Sequence, residues 1–196
     1  MSIIAAAWRS PAHYAIGADS WWSHDSDPTI PGVVVPKVQP VFDTGWYIGV
    51  AGAMPGVQRL LRAFIDRQKR EEGIIDGLRG AWDDIIDKCG TAPPSSYPST
   101  GAPALLVGPS GIIELGSAGE ITWHAGAAGG RGYAAIGCGA PVAMGAMWGA
   151  ECKTAPQHRV SAGVRAACDL VGACRLPMDL LGGGFTKKRD LATDCF

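Results

Sequence analysis

Charge is scarce in this 196-residue chain: charged residues make up 18%, the formal net charge is -1, and the longest like-charged run is Lys187-Lys188-Arg189. Such a balance leaves no electrostatic footprint for nucleic acid. Long apolar runs are missing too. Stretches such as Ile48 to Met54 fall far short of the roughly 20 residues that a membrane-spanning helix needs, so no membrane partner is expected. The apolar segment Ile3 to Trp8 has no basic segment ahead of it, which argues against a secretory signal and for a soluble, cytoplasmic protein. The six cysteines (Cys89, Cys138, Cys152, Cys168, Cys174, Cys195) contain no CxxC pair. They read as scattered reduced thiols packed like small hydrophobes rather than as zinc ligands. The four histidines (His13, His24, His124, His158) lack catalytic or ligand spacing. With no nucleotide motif either, neither a cofactor nor a metal is expected.

What the chain has is apolar mass. Hydrophobic residues make up 47%, which excludes a disordered chain and leaves apolar surface for partner subunits to cover. The length suits one domain with a substantial core. Ile3 to Trp8 and His13 to Ala18, joined by Arg9-Ser10-Pro11-Ala12, predict an N-terminal β-hairpin. Trp21 to Gly32 reads as a loop, followed by strands at Val33 to Val38 and Val41 to Val50 on either side of Pro40. From Pro55 the period becomes helical through Val57, Leu60, Leu61, Phe64 and Ile65, and a second amphipathic helix covers Ile74 to Lys88.

Thr91 to Gly101 is a Pro/Ser loop. Strands then follow at 104–107, 112–115 and 121–123, with a further apolar stretch at 133–137. Helices are predicted from Pro141 to about Glu151 and from Val160 to about Cys174, and Pro177 with Gly182-Gly183-Gly184 ends regular structure. Strands, two helices, strands and two helices in that order predict an α+β four-layer αββα sandwich over residues 1–181, with a tail at 182–196. A doubly wound fold would need strands alternating with single helices and a phosphate loop after the first strand, and neither is present.

Five fragments in this order carry a further likeness: a nucleophile position directly after Met1, Gly17-Ala18-Asp19, Pro36-Lys37-Val38, Gly49-Val50-Ala51-Gly52-Ala53, and Ala135-Ile136-Gly137-Cys138-Gly139. From Ser2 to roughly Leu181 the chain resembles the bacterial HslV protease and proteasome β subunits, which are N-terminal-nucleophile hydrolases. The resemblance implies that Ser2 is the nucleophile once Met1 is removed, that Asp19 and Lys37 are the charged pair beneath it, and that Gly52 supplies an oxyanion amide. Cys138 falls where those enzymes usually carry a serine, and Ala173 where they often carry an acidic residue.

The resemblance implies a threonine-protease-like peptidase or amide hydrolase in a ring-shaped homo-oligomer, acting on peptides, with an ATP-driven unfoldase as partner. A catalytically silent structural or assembly component of the same fold, as in a phage particle, is the alternative. A small-molecule amidase of the acylase type is a third reading.

Overall fold

A computed structural model of the chain describes residues 2–22, 33–34, 36–52, 63–64, 67, 73–89, 103–116, 120–126, 132–150 and 155–183. Strand β1 (Ile3–Ser10) turns into β2 (His13–Asp19) as the sequence predicts. Two short strands, β3 (Trp21–Trp22) and β4 (Val33–Val34), pair with each other. The remainder of the predicted loop between them, 23–32, lies outside the described residues. β5 (Val38–Val41) and β6 (Trp46–Val50) flank a 3-10 turn at Phe42–Thr44. Pro40 therefore lies inside β5 instead of separating two strands. An edge position tolerates this, because a proline there leaves no ladder hydrogen bond unmade.

Helix α1 (Ile74–Cys89) leads to the strands β7 (Ala104–Gly108), β8 (Gly111–Leu115), β9 (Ile121–Gly126) and β10 (Tyr133–Gly137). The helix expected from Pro55 lies mostly outside the described residues, with Ala63, Phe64 and Arg67 helical, and so does the loop 91–101. Next come α2 (Ala140–Gly149) and α3 (Pro156–Leu170). Proline in its first turn starts α3 earlier than Val160, and it stops at Leu170, which leaves Cys174 in the following turn. The expectation that regular structure ends at Pro177 fails. Met178–Gly183 forms β11, and its glycines sit within an edge strand. Residues 184–196 of the expected tail lie outside the described residues.

Beside the small β3-β4 pair, two larger antiparallel sheets lie among the described residues, in the orders β10-β1-β2-β11 and β5-β6-β7-β8-β9. Period-2 alternation decides what each face meets. Ile3, Ala5 and Ala7 of β1 pack outward against Met147, Val160, Val164 and Ala167 of α2 and α3. Ile4 and Ala6 point the other way, onto Val38, Leu105, Val107 and Ile112 of the second sheet. The far face of that sheet, with Trp46, Ile48, Val50, Leu106 and Ile113, is covered by Phe64 and by Leu78 and Ala81 of α1. The predicted αββα sandwich is the observed one. Burial on both faces explains why β1 reads as a continuous apolar run.

One end of the sandwich is tied shut by aromatic side chains. Trp8 Nε1 donates to Pro109 O at 3.3 Å, Tyr14 Oη to Gly45 O at 2.7 Å and Tyr47 Oη to Gly182 O at 3.2 Å. Each of these bonds runs from one sheet to the other. Burial, with Tyr47 nearby, pushes the Tyr14 phenol above its ordinary value, so it stays protonated as a donor. The opposite end is where β1 starts and β2 ends.

Ile4 has no exposed surface and fills the space between the sheets. Ile4→Ala is expected to destabilise the fold by about 2 to 5 kcal/mol, read as a lower urea midpoint at unchanged slope.

Candidate active site

Antiparallel pairing gathers the predicted site residues. Ile4 pairs with Ala18 and Ile3 with Gly137, so Ser2 before β1, Asp19 at the end of β2 and Cys138 after β10 share one end of the first sheet. Val38 pairs with Gly49 across β5 and β6, which brings Lys37 and Gly52 to the same end of the second sheet. The Lys37 carbonyl also accepts from Val50 N at 3.3 Å.

At the centre lies the Asp19 carboxylate, fully buried. Its Oδ1 accepts from the Ile3 amide at 2.8 Å and its Oδ2 from Lys37 Nζ at 2.9 Å. The two side chains of this ion pair have no exposed surface, and they come from opposite sheets. Lys37 is thus no lysine pointing into water, and Asp19 closes β2 instead of lying in a turn. Because desolvation makes a buried pair about as costly as it is attractive, packing alone gives little reason for one here.

Ser2 is buried, and its Oγ has no hydrogen-bond partner among the described residues. Its carbonyl faces Cys138, whose Sγ lies 3.5 Å from Ser2 O. The close passage of this turn depends on Gly137. Its φ is +96°, and a Cβ built on it would fall 2.1 Å from Ser2 O. Gly52 follows β6 at φ +130°, another conformation that favours glycine. The Ala51 amide is committed to Pro103 O at 3.0 Å, so the Gly52 amide is the first beyond the ladder.

Ser20, Asp179 and Cys174, all near this end, have no place in the site read from sequence. Ser20, itself buried, donates through Oγ to Asp179 Oδ2 at 2.7 Å and through its backbone to Pro177 O at 2.8 Å, which fastens the residue after Asp19 to β11. Gly137 is visible in sequence only as part of a fragment. Cys174 is buried with its Sγ 3.7 Å from that of Cys138. The alternation Met178-Asp179-Leu180 is the signal that could have revealed β11, but the glycines after it read as a terminator. Neighbouring Cys168, half-buried on α3, has its thiol pushed up to about 12 by burial and then by the Asp19 and Asp169 charges, so it is a neutral thiol. The histidines take no part among the described residues: His13 bonds Ser10, and His124 pairs with Glu114 on the second sheet.

No protein-family model matches the chain, and no curated protein matches it in sequence. Solved structures do match in shape. HslV from Trypanosoma brucei superposes with a TM-score of 0.71 at 14% identity, covering 91% of this chain and 97% of that one. Thiobacillus denitrificans BPH in complex with epoxomicin gives 0.66 at 16% identity, covering 91% and 96%. The same BPH alone gives 0.65 at 15%, with the same coverage. The likeness establishes an HslV/proteasome-type fold.

Gly137→Ala is expected to lower the melting temperature, since the backbone conformation alone costs about 1 to 2 kcal/mol and the Ser2 carbonyl blocks the methyl. Gly145→Ala on α2, where a Cβ meets nothing within 4 Å, is the matched control and should leave the fold as stable or slightly more so.

Proposed function

Starting from an HslV/proteasome-type fold, we propose that this chain is a peptidase or related amide hydrolase whose nucleophile is the Ser2 hydroxyl, exposed for catalysis once Met1 is removed. The observation that carries the proposal is the buried Asp19 carboxylate, which joins the backbone at Ser2–Ile3 to the Lys37 ammonium.

A serine hydroxyl needs a base to take its proton. A free α-amino group on the same residue titrates near ~7.7 to 8.0, so it can supply that base at working pH. The Lys37 ammonium disfavours a second positive charge on the amine and stabilises negative charge on Oγ, while its bond to Asp19 fixes its position. In the proposed reaction Oγ attacks the scissile carbonyl as the amine accepts its proton. The Gly52 N–H meets the oxyanion, a contact of the kind worth about 3 to 4 kcal/mol. The proton then passes to the leaving amine, and water releases the ester formed on Ser2. Cys138 steadies the Ser2 carbonyl in the place where the resemblance implies a serine. Serine lacks the methyl that restricts the rotamer of a threonine nucleophile, so slower or altered chemistry is expected.

The same reading makes the protein a homo-oligomeric ring in the cytoplasm that receives peptide from an ATP-driven unfoldase. Exposed Trp148, Leu170 and Leu176 offer apolar surface for subunit contacts. The competing reading, a silent assembly component, is favoured by Cys138 and by Ala173, which removes an acidic group that the resemblance implies.

Ser2→Ala deletes an oxygen that bonds to nothing among the described residues, so its urea midpoint should stay in place while kcat/KM on peptide substrates falls by about 10³-fold or more. Turnover that survives Ser2→Ala removes Ser2 from the reaction.

A further inference from the structure

Cys138 and Cys174 lie outside the proposed proton transfers, yet their sulfurs are 3.7 Å apart, beside the Ser2 carbonyl. Cys138 is exposed and Cys174 is buried. A Cβ on Gly139 would sit 3.1 Å from Cys174 Sγ, so the buried sulfur is seated directly against the turn that carries Cys138. A disulfide needs the sulfurs to close from 3.7 Å to about 2.05 Å.

We propose that Cys138 and Cys174 form a reversible disulfide, and that its formation disables the Ser2 site. The oxidant is a hydroperoxide. The exposed Cys138 thiol gives up its proton as its sulfur attacks one peroxide oxygen; the O–O bond breaks, a sulfenic acid forms, and the departing oxygen takes a proton to leave as an alcohol, or as water when the oxidant is hydrogen peroxide. Cys174 sulfur then displaces hydroxide from the sulfenic acid, the S–S bond forms, and the thiol proton leaves with the hydroxide as water. Two thiols lose two electrons in total, and the hydroperoxide gains them. A dithiol reverses the step. The order of events follows from position: Cys138 is exposed to the oxidant, whereas Cys174 is buried, and burial with the nearby Cys138 raises its thiol well above the ordinary value, so Cys174 is not the sulfur oxidised first.

The consequence for Ser2 is chemical. Oxidised Cys138 has no S–H, and therefore no donor for the Ser2 carbonyl that it faces at 3.5 Å. Gly137, whose backbone passes against the same carbonyl, is drawn with it. This effect on turnover rests on the Ser2 reading above, whereas the disulfide itself does not.

The test exposes the reduced full chain to stoichiometric hydrogen peroxide, blocks remaining thiols with N-ethylmaleimide and maps the peptides by mass. Expected is a linked peptide joining Cys138 to Cys174, lost on dithiothreitol treatment. Cys174→Ala should instead leave a Cys138 sulfenic acid that dimedone captures. Cys138 advancing to sulfinic acid in the native chain while Cys174 stays alkylatable, or Cys138 linking to another cysteine, would overturn the pairing. In the same samples peptide turnover should fall at least tenfold on oxidation and return with dithiothreitol. A linked protein with undiminished turnover would overturn the control of Ser2. A reduced protein with no turnover would count against the Ser2 reading instead, and the peptide map would still decide the disulfide.

Discussion

One carboxylate holds this end of the molecule together. Asp19 accepts a backbone amide from its own sheet and the Lys37 ammonium from the other, in a space without exposed surface. Losing either partner of such a pair leaves a buried charge unanswered, at a cost of about 3 to 5 kcal/mol, whereas a matched apolar pair would serve stability equally well or better. Through the Ile3 amide and the Lys37 ammonium, the same carboxylate links the start of β1 to the start of β5. The ion pair is also the polar counterpart of the three aromatic ties at the opposite end, so the sheets are fastened by different chemistry at each end.

Close layering follows from residue size. Gly49 faces Ile4, and a Cβ there would fall 2.5 Å from Ile4 Cγ2. A larger residue would push the second sheet away from β1 and stretch the Asp19–Lys37 bond. Gly17 lets α3 approach β2 in the same way, since a Cβ would meet Val160 at 2.8 Å. Placement of the charged pair therefore depends on apolar packing several residues away.

The layer order was legible because alternation and helical spacing are local signals, and β1, β2, β7 and β8 follow them closely, whereas the strand expected from Val41 to Val50 is interrupted by the 3-10 turn at Phe42–Thr44. Two further features were not legible. Pro40 looks like a break, yet an edge strand has a side that needs no donor, and only the sheet order reveals which strand is the edge. The Gly182-Gly183 pair looks like a terminator, yet β11 takes its hydrogen bonds from β2, far away in sequence. Asp19, Lys37, Gly52 and Cys138 stood out through their resemblance-bearing fragments, and the sheets do bring them to one end. Ser20, Asp179 and Cys174 did not stand out, because each matters through a single long-range contact that no spacing rule encodes.

All of the proposed chemistry requires that the amine of Ser2 be free. Intact mass and N-terminal sequencing of the purified protein address this directly. Catalysis through Ser2 predicts a mature chain that begins at Ser2. A mature chain in which residue 1 remains joined to Ser2, and which still hydrolyses peptides, would contradict it.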